Sequence, residues 1–345
     1  MNRLDEKFMK RALTLAARGG RATAPNPLVG CVLVKNDRII AEGWHRRFGG
    51  PHAEAQALSR AGARSRGATA YVTLEPCTAH QGKKTPPCAD ALARAGVARV
   101  FTAIKDPHPG TSGRGLTLLR RAGVKTHVGL CARESKTLNA AFFSRMTKDR
   151  PIVILKTALS LDGKAAGEGG LSKWITGPQA RRRGRSLRAA CDAVLVGVGT
   201  VLADNPRLTA RGAGRNPLRV ILDGRLRTPS NARALDGAAP TIIFSALSGS
   251  RPNAEVIKTP LRGRLLNLRF VLKELARRGV GRLLIEGGPT VHASFLAQGL
   301  VDEAAVFLSP KLLAGSRDPN RCLRLIGPRI KKIGPDFLFY GSVAR

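Results

Sequence analysis

The chain has 345 residues, which at roughly 150 residues per domain points to two domains, each large enough to bury a core. Hydrophobic residues make up 43% and charged residues 24%, a balance that excludes a disordered, collagen-like or coiled-coil chain. Lys and Arg number 59 against 23 Asp and Glu, a formal charge of +36, which attracts phosphates or nucleic acid at long range. The excess is spread, with 25 basic and 9 acidic groups (+16) in residues 1–147 and 34 and 14 (+20) in residues 148–345. With aromatics at 4% there are few stacking platforms, so nucleic acid is not expected as the main ligand.

The opening MNRLDEKFMKRALTLAARGG alternates charge with Leu and Ala, so a helix over 4–18 is expected rather than a signal peptide. LVGCVLV (28–34) and IIAEGW (39–44), joined by Asn36-Asp37, read as a hairpin. A helix follows from Pro51 to Ala61, closed by Gly62. Strand 68–76, helix 87–96, strand 97–104, helix 115–123 and strand 124–130 complete an α/β pattern. MTKDR before Pro151 marks a boundary, giving expected domains of 1–147 and 148–345. The second half repeats the alternation: strand 151–161, helix 178–190, strands 193–198, 217–223 and 241–246, helix 269–278, strand 282–288, a helix from Pro289 and strand 303–313. Residues 225–266, rich in Gly, Pro, Ser and Arg, are expected to be the least ordered stretch. No apolar run approaches the roughly 20 residues of a membrane span. Cysteines at 31, 77, 88, 131, 191 and 322 are spaced as reduced thiols, which suits a cytoplasmic setting.

The most specific signal is His52-Ala-Glu54 with Pro76-Cys77 and Cys88. One imidazole and two thiolates leave the fourth tetrahedral position of a Zn²⁺ open, as a catalytic zinc requires. Glu54 is then placed to carry a proton between the activated water and a leaving amine. His52 and Cys88 fall at expected helix starts, where the dipole favours a thiolate. His80, inside the long loop between the two cysteines, is either a further contact or a solvated loop residue. Cys31, Cys131 and Cys191 read as core thiols, and Cys322 carries no signal. GVGTVL (197–202) lacks the third glycine of a Rossmann fingerprint. Gly287-Gly288, after a strand and before a helix, suits a pyrophosphate at a helix start.

These residues carry a resemblance. Pro25-Asn26-Pro27, Val29-Gly30-Cys31, His52-Ala53-Glu54, Thr73-Leu74-Glu75-Pro76-Cys77, Thr85-Pro86-Pro87-Cys88 and Gly113-Arg114-Gly115 resemble the deaminase half of the bifunctional deaminase-reductase family of riboflavin biosynthesis. Lys156 through Lys164, Ser172-Lys-Trp174-Ile-Thr176, Gly199-Thr200 with Asp204-Asn205-Pro206, and Glu286-Gly287-Gly288-Pro289-Thr290 resemble its reductase half. The resemblance implies an N-terminal cytidine-deaminase-like three-layer αβα domain and a C-terminal dihydrofolate-reductase-like α/β domain. It implies zinc on His52, Cys77 and Cys88, and Glu54 as catalytic residue. It implies NADPH at Leu159, Trp174, Thr200, Asp204, Gly224, Gly288, Pro289, Thr290, Val291, His292, Ala293 and Ser294. Substrate contacts are implied for Asn26, Ser172, Arg188, Leu208, Arg211 and Glu286. Arg188 and Arg211 suit a ribose phosphate, which a planar guanidinium grips with two bonds. The implied reactions are hydrolytic removal of the 2-amino group of 2,5-diamino-6-ribosylamino-pyrimidinone 5′-phosphate and reduction of its ribosyl group, with Lys156 or Glu286 as proton source. The family also implies a homo-oligomer. Two departures stand out: the Cys77 to Cys88 loop is two residues longer than usual, and His108 stands where Asn is common. A tRNA-type zinc deaminase with a basic accessory domain is the alternative, and NADPH oxidation separates the two.

Overall fold

The computed structural model describes residues 3–79, 87–108, 112–160, 163, 165, 175–212, 214–309 and 325–343. His80, Ser172, Trp174 and Cys322, all named above, lie outside the described residues. The chain divides into two compact units, Met1–Asp149 and Arg150–Arg345.

In the first unit, α1 (Arg3–Ala17) buries Phe8, Met9, Ala12, Leu15 and Ala16, one face at helical spacing. The strands are β1 (Gly30–Lys35), β2 (Arg38–Trp44), β3 (Thr69–Val72), β4 (Arg99–Thr102) and β5 (Lys125–Val128), in sheet order β2-β1-β3-β4-β5. β1 runs antiparallel to β2 and β3, as the expected hairpin requires, while β3, β4 and β5 are parallel. Helices α2 (Ala53–Ala61), α3 (Cys88–Arg94) and α4 (Arg114–Arg121) provide the helical layer packed on Cys31, Leu33, Ala70, Val72 and Val100. A Cβ at Gly43 would lie 2.2 Å from the Ala53 carbonyl oxygen, so only glycine lets β2 press against the start of α2. Two helices were not foreseen: α5 (Ala132–Leu138) and α6 (Ala140–Lys148). Cys131, read as a core residue beside a strand, is half-buried and sits just before α5 at φ 56°. Cys31 and Cys191 are fully buried.

The second unit is built on one sheet of nine strands: β6 (Ile152–Leu159), β7 (Ala193–Gly197), β8 (Leu218–Leu222), β9 (Thr241–Ser245), β10 (Glu255–Lys258), β13 (Arg282–Ile285), β14 (Glu303–Leu308), β15 (Leu325–Ile333) and β16 (Asp336–Val343). Their order across the sheet is β10-β9-β8-β7-β13-β6-β14-β16-β15. All pairings are parallel except those of β16. The parallel strands read as near-continuous apolar runs because both faces are covered. Helices α7 (Pro178–Ala190), α8 (Val198–Asp204), α9 (Leu268–Arg277) and α10 (Pro289–Ala297) connect them. Phe244, Leu272, Leu283 and Phe295 anchor the core between sheet and helices.

The expectation that 225–266 is the least ordered stretch is corrected. Besides β9, where a strand was expected, the stretch holds β10 and a small hairpin of β11 (Leu261–Arg262) and β12 (Leu265–Leu266). Side chains satisfy its irregular backbone: Asp223 accepts from the Thr228 N–H and hydroxyl, both at 2.7 Å, and Arg251 donates to the carbonyls of Thr228 and Leu226.

Candidate active sites

Three elements converge at the first site. His52 precedes α2, Cys88 opens α3, and Cys77 lies in the loop after β3. His52 Nδ1 is 3.4 Å from Cys77 Sγ and 3.3 Å from Cys88 Sγ, and all three ligand atoms lie within 4.8 Å of one another. A tetrahedral zinc, with bonds of about 2.0 Å to N and 2.3 Å to S, sets an N to S edge of about 3.5 Å, so this donor set fits the metal. Backbone geometry ties the sulfurs together, since Ala89 N–H donates to the Cys77 carbonyl at 3.1 Å.

Glu54, in the first turn of α2, is 3% exposed, and its Oε2 has no hydrogen-bond partner among the described residues. Burial, reinforced by the adjacent Cys77 sulfur, raises its carboxyl to about 7. An orphaned carboxylate oxygen beside three metal-ligand atoms is the arrangement expected of a proton carrier.

Asn26 lies near the same site, in a segment held from elsewhere. Its Nδ2 meets His45 Nε2 at 3.1 Å, and His45 packs edge-on against His52 with ring centroids 5.4 Å apart. His45 Nδ1 faces the Pro51 carbonyl at 3.1 Å, which makes it the protonated nitrogen and Nε2 the acceptor for the Asn26 amide. The sequence did not single out His45, although it sits in the same HRRFGGPHAE run as His52. Asn139, just before α6, brackets Leu28 by accepting from its N–H at 2.8 Å and donating to its carbonyl at 2.9 Å.

The second unit has a cavity of about 860 Å³ at the carboxyl ends of β7, β8 and β13, where ligands of open α/β sheets bind. Of the expected cofactor positions, Thr200, Gly224, Gly288, Pro289, Thr290, Val291 and Ser294 line it. Leu159, at the end of β6, and Asp204, exposed at the end of α8, are not among its walls, nor are His292 and Ala293. Arg225, Arg227 and Arg264 also line the cavity, and no carboxylate does among the described residues.

The expected substrate residues form a separate cluster. Arg188 grips Glu286 with both arms of its guanidinium, at 2.7 and 2.8 Å, and also donates to the Thr209 carbonyl beside the buried Leu208. The fork that the sequence assigned to phosphate is therefore occupied by a carboxylate. Lys156 Nζ stands 4.0 Å from the same carboxylate. Burial alone would raise Glu286, but Arg188 and Lys156 outweigh it and hold it at about 2. His292, whose Nε2 is buried and unpartnered among the described residues, is lowered to about 4 by burial and by Lys156. Arg211, exposed and at φ 48°, is lowered by partial burial and by the neighbouring Arg188, Arg185, Arg233 and Arg207. Even with Glu286 on Arg188 and Asp236 3.6 Å from Arg207, such a gathering of cations leaves net positive charge for an anion.

The fold and these sites define a zinc-binding-type deaminase joined to a nucleotide-cofactor reductase. Residues 2–104 match the cytidine and deoxycytidylate deaminase zinc-binding region, and residues 151–337 match the RibD C-terminal domain. RibD from Aquifex aeolicus is 41% identical over 98% of both chains, and RibD from Escherichia coli is 42% identical over 97% of this chain and 95% of its own. Among solved structures, Acinetobacter baumannii RibD superposes with a TM-score of 0.86 at 36% identity, covering 99% of both chains. A diaminohydroxyphosphoribosylaminopyrimidine deaminase/5-amino-6-(5-phosphoribosylamino)uracil reductase from Thermotoga maritima does so with the same score at 37% identity over 99% of both. The chain belongs to the RibD family of riboflavin biosynthesis, and is a bifunctional deaminase and reductase. The alternative of a tRNA deaminase with a basic accessory domain is set aside, because the reductase match accounts for the whole second half. Among the described residues, no helix is long and apolar enough to cross a membrane.

Proposed function

We propose that His52, Cys77 and Cys88 hold a catalytic zinc and that Glu54 shuttles the proton of the deamination of 2,5-diamino-6-ribosylamino-pyrimidinone 5′-phosphate. Zinc supplies the Lewis acid that makes water nucleophilic near neutral pH. Glu54, with a carboxyl poised near 7, takes a proton from the attacking water and returns it to the departing amine at C2. Asn26, its amide oriented by His45, contacts the pyrimidinone. The observation that carries this reading is the partnerless Glu54 oxygen beside three converging ligand atoms.

In the second unit the residues lining the cavity would hold NADPH, which would supply the hydride for reduction at C1′ of the opened sugar. Gly288 and Thr200 leave the helix starts of α10 and α8 accessible to a pyrophosphate. Arg225, Arg227 and Arg264 favour the extra phosphate of NADPH over NADH. Arg211 and its neighbouring arginines attract the substrate phosphate. Arg188, committed to Glu286, orders that carboxylate against the substrate. Lys156 is the proton source rather than Glu286, whose carboxylate carries no proton at neutral pH. Leu159, Asp204, His292 and Ala293, which are not among the cavity walls, keep the cofactor assignment made from the sequence. The reduced thiols Cys31, Cys131 and Cys191 suit a cytoplasmic setting.

The test is Glu54→Gln in the full chain. Ammonia release should fall roughly 10²- to 10⁴-fold, while zinc content and NADPH-dependent reduction of the already deaminated substrate stay at the wild-type level. Ammonia release at the wild-type rate overturns the assignment.

A further inference from the structure

Glu75 lies two residues before Cys77, is 3% exposed, and takes no part in the chemistry above. Among the described residues the partners of its side chain are four backbone N–H groups. Oε2 accepts from Asp106 at 3.3 Å and Gly113 at 3.0 Å, and Oε1 accepts from Gly115 at 3.1 Å and Leu116 at 3.3 Å. Gly113 is the N-cap of α4 and Gly115 and Leu116 lie in its first turn, where N–H groups have no partner inside the helix. α4 has no side-chain cap from its own first residues, so Glu75 caps it from a distant segment and puts a negative charge at the positive end of the helix.

The fit is close. A Cβ on Gly115 would lie 2.0 Å from the Pro76 carbonyl oxygen and 3.3 Å from Glu75 Oε1, so α4 rests directly on the Glu75-Pro76 backbone. Glu75 N–H in turn donates to the Ile104 carbonyl at 3.0 Å. The same carboxylate fixes Asp106, whose Oδ1 accepts from His108 N–H at 2.8 Å. One buried carboxylate thus binds the chain leading into Cys77 to the turn that presents His108.

We propose that Glu75 is a positioning residue of the deaminase site, setting Cys77 and the Asp106–His108 turn in one frame so that the geometry of the cysteine ligand and the placement of that turn are fixed together. The proposal rests on the reading of Cys77 as a metal ligand. A carboxylate is needed because all four partners are donors. Glutamine has one acceptor oxygen, and its NH₂ would face two N–H groups.

The test uses the full chain loaded with Co²⁺, whose ligand-field and thiolate charge-transfer bands report the geometry of the cysteine ligands. Glu75→Gln should shift these bands, release metal to a chelator about tenfold faster, and raise KM for deamination several-fold. Reduction of the deaminated substrate should be unchanged. Gly115→Ala, which forces the same two segments apart without altering the carboxylate, should shift the bands in the same way, and it tests the proposal whether or not the Glu75 variant folds. Wild-type bands, release rate and KM in either variant, with reductase activity intact, overturn the proposal. Wild-type bands in Cys77→Ser overturn instead the ligand reading beneath it.

Discussion

Burying a carboxylate in a protein is costly unless something nearby stabilises either its charge or its proton, and three glutamates of this chain resolve that cost in three ways. Among the described residues Glu54 has no Lys or Arg partner, and burial pushes it up to about 7, which suits the proton carrier proposed above. Glu75 spends its charge on four N–H groups. Glu286 lies between Arg188 and Lys156 and is held at about 2. Because that value is below the ordinary 4.5, folding favours the ionised form, so the stabilisation is complete above the ordinary range and fades as pH falls from about 4 to about 2. Its size is on the order of 3 kcal/mol. Denaturant midpoints of wild type and Glu286→Gln should therefore differ at pH 7, draw together as pH falls below about 4 and converge only below about 2, whereas a constant gap would count against the pairing. The convergence of His52, Cys77 and Cys88 was legible in the sequence because His-x-Glu and Pro-Cys occur together with a later cysteine at a helix start. The Arg188–Glu286 pair was not, because 98 residues separate its members and any of many arginines could have filled the role.

At the scale of elements, the sequence captured those with an apolar period and missed those held by tertiary bonds. α1 and α9 bury regular faces, and the parallel strands are unbroken apolar runs. α5, with the sequence ARESKTL, has no such face. It is fixed by Ser135, which donates to the Thr73 carbonyl at 2.5 Å. Likewise 225–266 looked loose because its glycines, prolines and serines suggest coil, while the bonds of Asp223 and Arg251 that order it are invisible to periodicity. Asn139, at the joint of α5 and α6, holds the segment that carries Asn26. Asn139→Ala should cost about 1 kcal/mol, because it strands the part-buried N–H and carbonyl of Leu28, and should raise KM for deamination more than it lowers kcat. Denaturation and steady-state kinetics check both; an unchanged KM would separate the clamp from the substrate.

At the scale of the whole molecule, the +36 charge is distributed and locally used. Arg18, Arg46 and Arg60 lie over Trp44 at 4.5–5.8 Å, which covers one of the few aromatics that a nucleic acid could stack on. Two units with separate cores should unfold in two steps. If the first unit holds the proposed zinc and the second the proposed NADPH, chelation should lower only one calorimetric transition, and NADPH at a hundredfold excess over Kd should raise only the other, stabilising that unit by roughly 2–3 kcal/mol. A single transition moved by both ligands would contradict that independence.

The central claim is that one chain deaminates a pyrimidine and then reduces its sugar at a second site. It is tested most directly by measuring ammonia and NADPH together on the diaminopyrimidine ribosyl phosphate. Ammonia should appear without NADPH, and once the cofactor is added its oxidation should follow with one NADPH per ammonia released. NADPH oxidation without ammonia, or no ammonia from the zinc-loaded protein, would contradict the account.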